Sequence, residues 1–445
     1  VRLLYRQDPV TPLTQVFLVV PHAGACLDPA PLQGLSRFAL RLMFMGAGGM
    51  EHAELSGQLE RLGASTGFSL FNDHLVLRLS TLTANLDRAL ELFLTSLLRP
   101  NFDRGEFAQL QGELTSAWIA DREESKQLRA QEVYLRRIYR DGPQGYRADG
   151  QEAGLRAATL DDLQRQYRRL LTGRETFCAV LTDLPQAEAQ ARVLERIALP
   201  DAQGAPRDTA PDPWDGFAPP DGAARRRVTI VADPDTNTDE VLLGGFSVAQ
   251  TAPDWHLHRL ITYIFGGDMN SRLFRIVRGE RGLSYGATCW YDAATGRTPR
   301  DRPGPFTLYT FPSSEHSAEA VPLVISLYEQ LVAGGVTEAE LALARSALIN
   351  SHPFQRDTPQ KQLALEIDHA LYGVVTDDDE TNRRKLEAAT PDDLLRALQR
   401  THHPQRLEIV LLGDPARLEP IAAGLPGVDK VDTIRYPEPE SDESR

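Results

Sequence analysis

Residues 266–291 read GGDMNSRLFRIVRGERGLSYGATCWY, a glycine turn, a short amphipathic helix, a glycine-bearing loop and a strand. Ser271 is placed to cap the helix, since its hydroxyl can accept from an orphan backbone N–H. Leu273, Phe274 and Val277 form the apolar face, and Arg272, Arg275 and Arg278 the opposite one. Gly279 is expected to end the helix. From Leu283 the chain turns strand-like, with Tyr285, Ala287, Cys289 and Tyr291 on one face. A cation leaving a helix (Arg278) and a phenol entering a strand (Tyr285) thus lie seven positions apart across a tight loop. On spacing alone the pair reads as packing: an arginine in a last turn complements the helix dipole, and a strand tyrosine is usually half-buried. The alternative is two donors aimed at one anionic or carbonyl oxygen, and the rest of the chain sets its weight.

Outward from this stretch, the pattern repeats. The first half predicts a strand over 13–20, an apolar helix over 31–46, an amphipathic helix over 51–62, and a hairpin of 66–71 with 74–82 around Asn72-Asp73. Helices follow over 86–98, 104–121, 126–139 and 160–171, then a strand over 176–182 and a helix over 186–198. Residues 201–225 are rich in Pro, Gly, Ala and Asp without a period, which marks a linker. The second half predicts a strand over 240–246, helices over 255–265 and 271–278, and a hairpin of 283–291 with 306–311. Helices over 318–333, 338–350, 360–372 and 391–400 follow, then a strand over 407–412. FDRGEF at 102–107 and VTEAEL at 336–341 open equivalent helices, an offset of 234 (336 − 102). The expectation is an α+β chain of two duplicated domains, each a mostly antiparallel sheet with helices on one face. These span 1–200 and 226–435, with an acidic, disordered tail at 436–445.

At 445 residues with 42% hydrophobic content, burying two cores is no difficulty. A formal net charge of −14 argues against nucleic acid as a partner, because phosphate binding needs concentrated basic surface. No apolar run is long enough to span a bilayer. Cys26, Cys178 and Cys289 are far apart and odd in number, so they read as free, buried thiols suited to a reducing compartment. A cytoplasmic location is the expectation. The opening VRLLYRQDPV is not itself a signal peptide, and a removed leader is compatible with it.

Duplicated α+β halves, an apolar helix ending in MFMG, and SRLF followed by R-x-x-x-G-L-x-Y resemble the pitrilysin/insulinase-type zinc peptidases over most of the chain. The block QGLSRFALRLMFMGAG with the 59–102 region behind it carries the resemblance in order and spacing. In that family the apolar helix bears H-x-x-E-H: two histidines one turn apart grip the metal, a glutamate beside them is the general base, and a later glutamate completes the ligands. The matching positions here are Arg37 and Arg41 for the histidines, Leu40 for the base, and Ala117 for the later ligand. A guanidinium has no acceptor lone pair and stays protonated, leucine carries no proton, and alanine coordinates nothing. Glu106 and Glu113 lie on the same later helix, but two carboxylates without histidines make no zinc site. His52, with Glu54, resembles the motif only as letters. His256, His258, His402 and His403 read as structural or exposed.

What the resemblance retains is Arg278 and Tyr285, which match the pair that the family's second half presents to substrate main chain and to the oxygen that gains charge. Some members divide the work between two chains, one keeping H-x-x-E-H and the other the Arg/Tyr pair. The resemblance therefore implies a non-catalytic subunit with no metal or cofactor of its own. Zinc is expected in a homologous partner subunit, and unfolded peptide is the expected ligand. The competing readings are an inert scaffold of the same fold, or a peptide-binding homodimer.

Overall fold

The computed structural model describes residues 2–171, 175–197, 214, 225–292 and 298–437. Two mixed sheets with helices packed against them build the chain, each in its own compact unit. The first sheet joins β1 (Arg2–Gln7), β2 (Leu13–Pro21), β3 (Ser65–Leu70), β4 (His74–Leu82) and β5 (Phe177–Thr182) in the order β1-β5-β2-β4-β3. The second joins β6 (Arg226–Ala232), β7 (Glu240–Phe246), β8 (Ser284–Tyr291), β9 (Pro305–Pro312), β10 (Glu408–Gly413) and β11 (Val428–Ile434) in the order β11-β6-β10-β7-β9-β8. With β11 set aside the two orders are equivalent. In each, one parallel pair (β1 with β5, β6 with β10) is followed by three antiparallel ones. The duplication legible in the sequence is therefore a duplication of topology, and β3 and β8 are equivalent end strands.

Strand alternation shows which sheet face meets which helices. Val16, Leu18 and Val20 of β2 enter the main core of the first unit, with Leu40, Met43, Leu90 and Phe93. Phe17 and Val19 point the other way, where they meet Leu363, Ile367 and Leu371. Those last three belong to the helix Pro359–Tyr372, late in the chain. The second unit does the converse. Val241, Leu243, Phe306 and Leu308 enter its main core, while Tyr134 of the helix Lys126–Ile138 lies on the opposite face. Its hydroxyl is 3.2 Å from that of Thr307, and a Cβ on Gly244 would stand 2.4 Å from it.

The units accordingly do not follow the chain. One comprises Val1–Asp121, Tyr146–Phe217 and Gln355–Gly373; the other comprises Arg122–Gly145, Ala218–Phe354 and Val374–Arg445. The boundaries 1–200 and 226–435 describe chain order, whereas each unit takes one helix from the other half. The two exchanged helices are equivalent in the repeat, each following the long helix Arg104–Glu124 or the helix Glu338–Ser351. Both start on a side-chain cap, Ser125 accepting from the Leu128 N–H and Thr358 from the Lys361 N–H. Amphipathic period shows that such a helix has an apolar face, but not which sheet receives it.

Local differences from the sequence reading have local causes. The helix over 31–46 starts only at Leu35, because Gly34 adopts φ +97° and breaks the run. The Asn72-Asp73 turn is present but buried, pinned where the Ala25 and Cys26 N–H groups donate to Phe71 and Asn72 carbonyls. Strands β1, β6 and β11 and the helices Glu152–Ala157, Asp379–Ala388 and Pro415–Gly424 were not anticipated. Except for Trp214 and Arg225, the linker at 201–225 lies outside the described residues, as does most of the acidic tail. The Tyr436 hydroxyl that opens the tail is not free, since it donates to Glu132 at 3.1 Å.

Candidate functional site

The stretch 266–291 is wound more loosely than its pattern predicts. Phe274–Glu280 is π-helical, a geometry frequent at functional sites, and the turn before it breaks helical geometry at Gly266, with φ −156° and ψ 15°. Gly266 is required for close approach: a Cβ there would lie 2.5 Å from the Cys289 backbone nitrogen of β8. Asp268 organises the turn, accepting from the Asn270 N–H at 2.8 Å and the Tyr263 hydroxyl at 2.6 Å. That second bond is the largest reason the Tyr263 phenol is pushed up to about 12. Ser271 is not the cap expected of it, because its hydroxyl donates to the Asp268 carbonyl. Nor does Gly279 stop the helix: the wider turn runs on to Glu280, and the left-handed residue is Gly282, at φ +65°.

Tyr285 also leaves the face expected for it. The β8–β9 register shifts between Ser284 and Ala287, and a bulge of this kind re-aims side chains. Ala287, Cys289 and Tyr291 stay buried, whereas Tyr285 is 73% exposed. The bulge and the π-helix together bring the sequence pair into contact, with the Arg278 guanidinium carbon 4.2 Å from the centre of the Tyr285 ring. A second ring, Phe274, lies 4.9 Å from it. The apolar-face pattern assigns Phe274 to the opposite side of the helix, although it is one turn before Arg278. Arg275 and Arg272 on the same segment pair with Glu280 and Glu340. Among the described residues Arg278 has no carboxylate partner, and neither its N–H groups nor the Tyr285 hydroxyl is hydrogen-bonded. A cation on aromatic faces keeps its N–H edge available for a ligand.

The zinc-motif positions lie on two neighbouring helices of the first unit. Asp28 fixes the start of Leu35–Met43, accepting from the Gly34 and Ser36 N–H groups at 2.8 Å each and from the Ser36 hydroxyl at 2.5 Å. Burial outweighs those bonds and pushes its carboxyl up to about 6. Stacking of Phe38 on Phe107 at 5.3 Å ties this helix to Arg104–Glu124. Across the same junction Arg41 faces Glu113 at 3.8 Å, a solvent-screened pair of little energetic weight. Arg37 and Ala117 are exposed, and Leu40 is wholly buried in the apolar core. These residues do not fit zinc: two guanidiniums, a leucine and an alanine supply no ligand. Among the described residues no group of three His, Cys, Asp or Glu is placed to hold a metal. Elemental analysis of the purified chain should find no stoichiometric zinc. One tightly held zinc per chain, lost on His52→Ala, would overturn that expectation.

The second unit holds a polar network that the spacing of its histidines does not reveal. Tyr328 Oη lies 2.8 Å from His402 Nδ1, His402 Nε2 lies 2.8 Å from Tyr291 Oη, and Tyr291 Oη lies 2.8 Å from His258 Nδ1. One consistent proton arrangement runs along it, each hydroxyl or N–H donating onward as far as His258 Nδ1; His258 Nε2 lies 3.6 Å from Asp254, beyond hydrogen-bond reach. His402 is thus core rather than an exposed helix end. Burial lowers both imidazoles, His258 to about 4 and His402 well below its usual range. A folded-state value below the unfolded 6.5 means stability that is full above pH 6.5 and lost as pH falls toward 4. For His258 the loss is about 3 kcal/mol at most. Asp28, raised instead of lowered, acts oppositely and favours the first unit as pH falls from 6 toward 4. Denaturant midpoints followed through Trp255, which packs 5.3 Å from Tyr291, should drop across this window. They should flatten when His258 and His402 are both asparagine. An unchanged slope in that variant would remove the histidines as its cause.

Comparison with known proteins agrees with this architecture. Residues 2–149 match the insulinase (peptidase family M16) domain, and residues 157–348 match the peptidase M16 inactive domain. The non-peptidase homolog YmxG of Helicobacter pylori is 20% identical over 376 residues, covering 84% of this chain and 83% of that protein. An uncharacterized zinc protease of Mycobacterium bovis is 22% identical over 329 residues, 73% of this chain and 71% of its own. A solved M16 inactive domain from Pseudomonas fluorescens superposes with a TM-score of 0.77 at 21% identity, covering 93% of this chain and 95% of the other. With a matching family domain in each half, the duplicated sheets and no H-x-x-E-H in its sequence, this chain belongs to the insulinase-type M16 peptidase family as a member without that zinc motif.

Proposed function

We propose that the chain is the non-catalytic subunit of a two-chain zinc peptidase, binding unfolded peptide and lending Arg278 and Tyr285 to a homologous, zinc-bearing partner. The observation that carries this reading is the Arg278–Tyr285 contact, with both sets of donors free of other described residues. The zinc-motif positions hold no ligand, yet Tyr285 is turned out by a bulge and held against the half-buried Arg278. An inert scaffold gives no reason to keep two donors turned outward. The open end strand β3, equivalent to β8, suits pairing with an extended peptide by strand addition. A cytoplasmic setting fits three buried cysteines outside any disulfide, and among the described residues no single helix is long and apolar enough to cross a membrane.

The test is reconstitution with a homologue that has an intact H-x-x-E-H. Peptidase activity on an unstructured peptide should arise on mixing and be absent from this chain alone. A mixture that forms a complex, holds zinc and remains inactive would sink the proposal in favour of the scaffold.

A further inference from the structure

Beside the Arg278–Tyr285 pair, the second sheet keeps a row of rings on the face opposite its main core. Trp290 of β8 lies 6.4 Å from Tyr309 of β9, Tyr309 lies 5.5 Å from Phe311, and Phe311 lies 6.4 Å from Tyr285. None of these four belongs to the core formed by Val241, Leu243, Phe306 and Leu308. Trp290, Tyr309 and Phe311 are half-exposed. The polar atoms at one end are already satisfied, with Trp290 Nε1 donating to Asp292 and the Tyr309 hydroxyl to Glu240, both at 2.7 Å. What remains to be used is ring surface, and at the far end a guanidinium without a carboxylate among the described residues.

The steps between rings, 5.5 to 6.4 Å, approach the spacing of alternate side chains on one face of an extended strand, about 7 Å. They also run along the strand direction, since Trp290 pairs across from Thr307 and Tyr309 from Thr288. Phe311 has a fold role as well, because a Cβ on Gly286 would sit 3.2 Å from its ring. That role needs one ring and leaves Trp290 and Tyr309 unexplained.

We infer that this row is a reading shelf for an extended peptide with apolar side chains at every second position and a carboxylate at the Arg278 end. The inference rests on the peptide-binding reading above and adds to it a substrate class. Its test uses the full-length chain and three synthetic, fluorescently labelled nine-residue peptides. The first alternates leucine or phenylalanine with serine and ends in aspartate. The second has the same composition with its apolar residues adjacent, and the third replaces the aspartate by lysine. The first should bind about 10-fold tighter than the second, a preference reduced several-fold by Trp290→Ser and by Phe311→Leu, which still covers Gly286. Arg278→Ala should erase the difference between the first and third peptides but keep that between the first and second. Equal affinity for the first and second peptides, or no binding of either, overturns the shelf. If binding still depends on Arg278 when alternation does not matter, the shelf falls and the trans-acting pair stands. If the shelf reads alternation but Arg278→Ala is silent in an assembled complex, the reverse holds.

Discussion

In a reconstituted, zinc-loaded complex, Tyr285→Phe and Arg278→Ala are each expected to lower kcat/KM by about 10²-fold without changing the metal content. The phenylalanine variant keeps the ring and therefore its contact with Arg278, and removes one hydroxyl donor. The alanine variant removes the cation and leaves the Phe274 and Tyr285 rings uncovered. Phe274→Leu touches neither donor but loosens the surface on which the guanidinium rests, so a smaller loss is expected, within about 10-fold. Arg37→Ala and Arg41→Ala serve as controls, since Arg37 is exposed and Arg41, half-exposed, faces Glu113 in a solvent-screened pair. They should leave turnover near normal. Silence of both Tyr285→Phe and Arg278→Ala would return the pair to a structural role.

Residues 1–200 produced alone should not fold cooperatively, despite containing all five strands of the first sheet. The Pro359–Tyr372 helix would be missing, exposing the face bearing Val19, Val76, Phe177, Ala179 and Leu181. With it go the ion pair of Arg6 with Glu366 and the Tyr372 hydroxyl that donates to Asp73 at 2.8 Å. The same fragment carries Lys126–Ile138, whose buried Val133, Tyr134 and Leu135 would lack the second sheet. A peptide spanning 355–373 supplied in trans should recover part of the structure, read as near-UV dichroism and a cooperative melt. In the intact chain Leu363→Ala should cost about 2–5 kcal/mol, as for a fully buried leucine. A sharp, native-like transition in the 1–200 fragment by itself would show that the exchanged helix is dispensable.

Much of this protein was determined by sequence alone. Strong periods placed the helices Leu86–Leu98 and Leu160–Leu171 to the residue, and the hairpins β3–β4 and β8–β9 within one or two. The duplication and the family follow from residue types in order, and so does the expectation that Arg37, Leu40, Arg41 and Ala117 ligate no zinc, since ligation depends on lone pairs that a sequence states outright. Strands β1 and β11 escaped because charged residues interrupt their apolar pattern (RLLYRQ and VDKVDTI), and β6 because it begins with two arginines at the edge of a Pro/Gly-rich run. Tertiary structure decided what depends on partners distant in the chain. Tyr285 belongs by alternation to the buried face of β8, and only a register shift against β9 turns it out toward Arg278. His258 and His402 join through Tyr291 from positions 144 apart (402 − 258), which no local spacing encodes. The two exchanged helices carry the same amphipathic signal as their neighbours. Which sheet each covers is settled by shape and burial across the whole fold, because an apolar face specifies that it must be covered but not by what.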